Sequence, residues 1–208
     1  MSEQSVIYMD KDKAINMVRK PNPEKRAQFL DAALKLFVLN GVQQTSTAAI
    51  AAEAGTAAGT LFLYFPTKQD LVNQLTLKIG REQSETINGL LRPEMTARET
   101  FLAIWDGSLR WFRDHMDAYK FFEQVRAANL IDEATIRESE AFLAYYFLAI
   151  QKGLAEGCLK PLPVEMIGEM LHQGIVAVLN LVDRQPDPAR REEYIRSSFD
   201  VFWDGIRR

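Results

Sequence analysis

The sequence predicts an all-α protein of nine helices, with a three-helix N-terminal unit ahead of a larger helical body. Three observations carry this. Apolar residues recur at three- and four-residue spacing along most of the chain, which gathers them on one face of a helix. No long stretch alternates β-branched with polar residues, as a half-buried strand would. Helix start and stop residues recur in the right order between the apolar runs.

Residues 1–20 read as a loose polar arm, punctuated by Pro21 and Pro23. A first helix is expected over 23–40, with Phe29, Ala32, Ala33, Leu36 and Phe37 on one face and Gly41 at the left-handed C-cap. Two short helices follow, 46–54 and 57–64, with Gly55 as the turn between them. Thr45 or Ser46 can cap the first and Thr56 the second. Pro66 breaks the chain, and Thr67 with Asp70 starts a long helix from 68 to about 91, which Pro93 ends. Thr96 and Glu99 form a second capping box, opening a helix to about 115, and a short helix covers 118–128. Asp132 can cap one long helix running to about 156, where Gly157 stops it. Pro161 and Pro163 mark a loop before the last two helices, 164–182 and 189–206. The domains are then an arm at 1–20, a helix-turn-helix unit at 21–67, and a larger domain at 68–208.

Composition narrows the class. The chain has 208 residues, 47% of them hydrophobic, enough for a real core. The longest apolar run, 141–150, is too short to span a bilayer, and the first residues have no apolar leader. A single cysteine, Cys158, excludes an internal disulfide framework and suits a reducing cytoplasm. The net charge of −3 does not by itself suggest DNA. Residues 1–70 hold eight Lys/Arg against seven Asp/Glu, and the remainder seventeen against twenty-one, so the basic bias of the N-terminal part is weak. Any nucleic-acid contact must then lean on backbone N–H groups, hydroxyls and doubling of the motif.

The chemistry concentrates in residues 45–68, TSTAAIAAEAGTAAGTLFLYFPTK. Ile50 and Ala51 are placed to bury the first short helix, and Leu61 and Phe65 the second. The second helix then presents Thr56, Ala57, Ala58, Gly59 and Thr60 outward, the geometry of a helix-turn-helix whose second helix enters the major groove. Thr45, Thr47 and Thr60 can bond phosphates or base edges, and Ala57 and Ala58 can touch thymine methyls. Tyr64 and Lys68 are placed to clamp a phosphate, and Phe62 and Leu63 complete the candidate DNA-binding set. The segment has no Arg, Lys, Asn or Gln on its recognition helix, hence no bidentate base reader. On spacing alone, a helical hairpin of packing value only is an equal reading.

The run from Lys25 to Leu75 resembles the DNA-binding domain of the TetR/AcrR family of transcriptional regulators. The resemblance rests on Leu36-Phe37, Gly41, Thr45-Ser46, Ile50-Ala51, Ala54-Gly55, Gly59-Thr60-Leu61-Phe62, Tyr64-Phe65, Lys68 and Leu71. Phe62 departs from it, standing where the family often has a phosphate-binding tyrosine; Tyr64 is the better hydroxyl, and Arg19 and Lys20 of the arm could reach a neighbouring groove. The region of Trp111 and of Asp187–Ile195 is diffusely similar to RamR-like multidrug-responsive repressors.

The resemblance implies a homodimer through the last two helices, for which Met166, Met170, Ile175, Val176, Val178, Leu179 and Val182, with Tyr194, Ile195, Phe199, Val201, Phe202 and Trp203, offer apolar surface. It also implies a small-molecule effector, hydrophobic or aromatic, in the aromatic-rich middle. Trp105, Trp111, Phe112, Phe122, Tyr146, His172 and Asn180 are the candidate lining. Binding would shift the fourth helix and release operator DNA. His115 and His172 have no partners at metal spacing, Cys158 has no resolving thiol, and no catalytic constellation or cofactor motif is visible. The competing reading is an all-α small-molecule-binding protein or enzyme that keeps the helix-turn-helix segment for packing.

Overall fold

The computed structural model describes residues 22–208 and resolves them into ten helices: α1 (Pro23–Asn40), α2 (Thr47–Glu53), α3 (Ala58–Phe62), α4 (Lys68–Asn88), α5 (Ala97–Asp114), α6 (Met116–Ala127), α7 (Glu133–Glu140), α8 (Ala144–Ala155), α9 (Val164–Arg184) and α10 (Pro188–Ile206). Among these residues the only strand-like pairing is an isolated antiparallel bridge between Leu159 and Arg207. The expected arm, with Arg19 and Lys20, lies outside the described residues. Among the described residues no helix is long and apolar enough to cross a membrane.

Local chemistry sets most boundaries. The Asn22 side chain accepts from Glu24 N–H, and Pro23 sits at the first helical position of α1, where its missing N–H costs nothing. Gly41 ends α1 at φ 87°. Ser46, not Thr45, caps α2, and both capping boxes close: Thr67 with Asp70 on α4, Thr96 with Glu99 on α5. Thr56 does not cap α3. That role falls to Ala57, which has no side-chain acceptor to offer.

The tenth helix corrects the expected count. One helix was anticipated from Asp132 to about Glu156, but the chain turns at 141–143 and divides it into α7 and α8. The turn is held from outside. The Ser84 hydroxyl of α4 donates to the Phe142 carbonyl at 2.6 Å, and the Arg81 guanidinium lies 4.9 Å from the Phe142 ring centroid. Tyr146 N–H closes on the Leu143 carbonyl, and the Phe142 carbonyl is taken by Ser84.

The core runs continuously through both parts. Phe29, Ala33, Phe37, Ile50, Ala51, Leu61 and Phe65 close the N-terminal unit. Phe37 stacks on Phe121 of α6 at 5.9 Å, and Val42 N–H donates to the Gln124 side chain at 3.1 Å, so α6 is fastened to α1. In the larger part α5 is central, packing against α4, α8, α9 and α10. Trp105 lies stacked on Phe202 at 5.2 Å and against the backbone of Gly174, where a Cβ would come within 2.6 Å of its ring.

Candidate nucleic-acid interface and interior seam

The helix-turn-helix forms because its small residues allow close approach and its glycine turn reverses the chain. Gly55 adopts φ 66°, a conformation L side chains rarely hold, and the short N–H bonds of Gly55 and Thr56 to Ala52 and Ala51 close the corner. Ala57, Ala58 and Gly59 are exposed, Thr47 and Thr60 half-buried. Phe62 and Leu63 stand out, 45% and 76% exposed, at the end of α3. A Cβ built on Gly59 would meet nothing within 4 Å, and its backbone is not in the left-handed region.

Several of the expected polar contacts are engaged within the chain. Thr45 is buried, and its hydroxyl is shared between the Leu36 carbonyl at 3.1 Å and the Gly41 carbonyl at 2.8 Å. Thr45 therefore locks the end of α1 to the start of α2, which removes it from the phosphate-binding set. The Thr56 hydroxyl donates to the Ala51 carbonyl at 3.2 Å and keeps only lone pairs for a partner. Tyr64 packs on Phe29, and its hydroxyl accepts from Asn22 N–H at 3.2 Å. Lys68 donates to the Gln43 carbonyl at 3.0 Å, and burial pulls its ammonium below the usual lysine range. Lys25, which sequence reasoning passed over, donates to the Ala54 carbonyl at the end of α2 at 3.1 Å. Nothing in its spacing distinguished it from the other cations of α1.

The aromatic residues proposed to line an effector site fall into three places. Trp105 is inside the α5–α9–α10 core. Trp111 stacks on His115 at 4.2 Å and borders an outer groove of about 490 Å³ shared with Glu82, Glu85, Arg110 and Asp114. The others converge on a seam between α6, α8 and α9. Tyr146 of α8 lies over Gly168 of α9, where a Cβ would stand 3.1 Å from its hydroxyl. His172, one turn on, shares that face of α9. Phe122 of α6 meets Phe112, which also meets Tyr119. Asn180, at the far end of the same α9 face, is exposed and lies beside the Tyr119 hydroxyl, outside hydrogen-bonding geometry. Trp105 and Trp111 thus leave the expected cluster, because α5 turns them to other faces.

The seam holds polar atoms with no partner. The Tyr146 and Tyr119 hydroxyls and His172 Nε2 are buried without a hydrogen bond, as is the Trp105 indole N–H outside the seam. Burial pushes the Tyr119 phenol up, and it pulls His172 down to about 4, so the imidazole is neutral at pH 7. At the rim, Arg126 of α6 pairs with Glu169 of α9 at 3.3 Å, and Gln173 donates to the same carboxylate at 2.7 Å. Cys158 is half-buried, its Sγ donating to the Gly153 carbonyl, and burial with the Glu156 charge pushes the thiol up.

Two family profiles divide the chain between them. Residues 29–75 match the profile for bacterial regulatory proteins of the tetR family. Residues 72–208 match that of the tetracyclin repressor-like C-terminal domain. This chain belongs to the TetR family. Among its relatives, the uncharacterized HTH-type transcriptional regulator YhgD of Bacillus subtilis (strain 168) is 21% identical over 171 residues, 81% of this chain and 90% of that one. A TetR-family transcription regulator of Shewanella sp. PV-4 superposes with a TM-score of 0.82 at 28% identity, covering 88% of this chain and 98% of that one. A second, from Marinobacter aquaeolei VT8, shares the fold with a TM-score of 0.77 at 20% identity, over 88% and 95%. TetR-family proteins are helix-turn-helix transcriptional regulators, typically ligand-responsive repressors that bind operator DNA, dimerise and take small-molecule effectors. Membership disfavours the reading in which the motif survives only as packing within an enzyme.

Proposed function

We propose that this TetR-family chain is a repressor whose homodimer holds operator DNA through α3 and lets go when an effector enters the α6–α8–α9 seam. The division of labour follows the helices: residues 21–67 read DNA, and 68–208 bind effector and dimerise. Thr47, Thr56, Ala57, Ala58, Gly59, Thr60, Phe62, Leu63, Tyr64 and Lys68 form the DNA face. Gly59 carries this reading. A glycine in a helix destabilises it by roughly 0.5–1 kcal/mol against alanine, yet neither packing nor backbone conformation inside the chain asks for one here. Close approach of a DNA backbone supplies the reason. The exposed Phe62 and Leu63 beside it are apolar surface that a groove wall would cover.

The apolar surface left for pairing of α9 and α10 with a second copy is narrower than the expected set. Ile175, Val178, Leu179 and Val182 of α9, and Phe199, Phe202 and Trp203 of α10, are buried within the chain. Met166, Met170 and Leu181 on α9 and Val201 on α10 remain exposed, and Met170 lies beside Gly205, which brings the two stripes together. A two-fold dimer places two α3 helices for half-sites one helical turn apart, roughly 34–36 Å.

Communication runs through α6 as well as the expected α4. α6 carries Tyr119, Phe122 and Arg126 toward the seam and Phe121 and Gln124 to α1, so moving it moves the helix-turn-helix. An effector acts only if it binds the released state more tightly than the DNA-bound one. Fluorescence anisotropy of labelled DNA from upstream of the gene tests the core of this. A sequence-specific complex at moderate salt, competed by the same fragment but not by scrambled DNA, is expected; its absence overturns the DNA-binding assignment.

A further inference from the structure

We propose that the α6–α8–α9 seam selects an uncharged, largely apolar effector whose oxygen atom pairs with the Tyr146 hydroxyl and His172 Nε2. This rests on the effector reading above and names the chemical class it takes.

Around Tyr146 and His172 the seam offers hydrogen-bonding groups but no free charge. Tyr146 Oη and His172 Nε2 are buried and unpartnered; Tyr146 of α8 lies over Gly168 of α9, and His172 is one helical turn on from that glycine. A buried polar group without a partner is destabilising unless a partner arrives, so both favour a ligand atom that can pair with them. A hydroxyl or carbonyl oxygen meets a phenol and a neutral imidazole equally well, because each of those can donate, and the hydroxyl can also receive. Burial keeps His172 uncharged at neutral pH, so no cation waits there for a carboxylate.

The nearby charges are already matched. Arg126 is held by Glu169, and Glu169 also accepts from Gln173, so the two charges nearest Tyr146 and His172 are paired with each other; the carboxylates that reach Tyr119, Glu123 and Asp183, belong to the other end of the seam, Asp183 lying about 16 Å along α9 from His172. No charged side chain is fully buried among the described residues; the buried polar ones are Thr45, Asn73, Thr76, Ser84, Ser108 and Thr135. A charged head group entering the seam would lose its hydration without gaining a counter-ion, which is prohibitive. The walls suit an apolar body. Phe112 of α5 meets Tyr119 and Phe122 of α6 edge to face, and Val176 continues the α9 face between His172 and Asn180.

Titration calorimetry of the full-length chain with three ten-carbon probes tests this: decan-1-ol, decanoate and decyltrimethylammonium. The alcohol is expected to bind at least about tenfold tighter than either ion, one such hydrogen bond kept without a buried charge being worth about that factor. In the double variant Tyr146→Phe/His172→Leu that preference falls to within a few fold, while Trp111→Phe, at the outer groove, leaves it intact. Decanoate or the ammonium binding as tightly as the alcohol overturns the proposal. So does unchanged alcohol binding in the double variant, or no alcohol binding by the wild-type chain. Tyr146→Phe alone, which keeps the ring, and thermal melts of every variant separate lost contacts from lost folding. Operator binding by anisotropy is measured on the same preparations: its failure strikes the DNA-binding reading, whereas its success with no discrimination among probes strikes only this one.

Discussion

The helix-turn-helix and the α6–α8–α9 seam treat their polar side chains in opposite ways. In the first, Thr45, Ser46, Thr56, Tyr64 and Lys68 all have partners inside the chain, at 2.8–3.2 Å. In the second, Tyr146, Tyr119 and His172 have buried atoms with none. The difference separates two ways of binding. A motif whose hydroxyls are spent on its own corners is preorganised, and it presents backbone, methyl and small-residue surface to a partner that supplies most of the charge. A seam with unsatisfied groups is poised for a ligand that completes it. Preorganisation favours tight, geometry-limited docking, and incompleteness favours a ligand-driven shift of α6.

The sharpest way to break the comparison is to remove the doubling on which the preorganised motif depends. Met170→Glu with Val201→Glu puts like charges on both faces of the α9–α10 stripe. The dimer is expected to dissociate in sedimentation runs, and operator affinity to fall by about 100-fold or more, since one half-site must bind alone. A dimer that survives with full affinity would place the interface elsewhere.

Acid titration probes the seam. The His172 pKa is lowered to about 4 in the folded chain from its ordinary 6.5. The unfolded chain therefore binds the proton first, and stability present above pH 6.5 is lost as pH falls toward 4, by on the order of 2 kcal/mol. Chemical denaturation at pH 7 and pH 4.5 should show this loss in the wild type and a smaller one in His172→Leu. An equal loss in both would mean that His172 is solvated rather than sealed in the seam.

The same contrast predicts opposite signs within the helix-turn-helix. Thr45→Val should lower stability by about 1–2 kcal/mol, because two carbonyls lose their donor, while the folded fraction binds operator as before. Gly59→Ala should raise stability, by up to about 1 kcal/mol, and weaken operator binding about tenfold if a DNA backbone needs the space. Melting curves and anisotropy on one preparation read both quantities. An alanine at 59 that leaves affinity unchanged would remove the observation on which the α3 contact rests. The smallest expected effect is Tyr64→Phe: about a threefold loss of operator affinity, since its hydroxyl is already shared with Asn22.

Much of this was legible in the chain because it is local. The capping boxes at Thr67–Asp70 and Thr96–Glu99, the proline start of α1 and the glycine turns at 41 and 55 each need only residues within four positions of one another. The helix-turn-helix follows from such signals plus the spacing of Ile50, Leu61 and Phe65, and its residue pattern carried the family resemblance. The break between α7 and α8 was not legible, because Ser84, 58 positions away, engages the Phe142 carbonyl. Nor was the fate of Thr45: a threonine beside a cap reads the same whether its hydroxyl faces DNA or the end of α1. For the effector residues, composition put aromatic side chains in the middle of the chain, but which of them meet depends on how α5, α8 and α9 are rotated. That rotation sent Trp105 into the α10 core, Trp111 to the outer groove, and Tyr146 and His172 to the seam. The sequence by itself therefore determined the helices, their caps and the DNA-reading motif, since short-range hydrogen bonds and apolar periodicity act within a few residues. The tertiary structure alone decided which polar groups are satisfied and which are left for a ligand, since that depends on contacts between helices far apart in the chain.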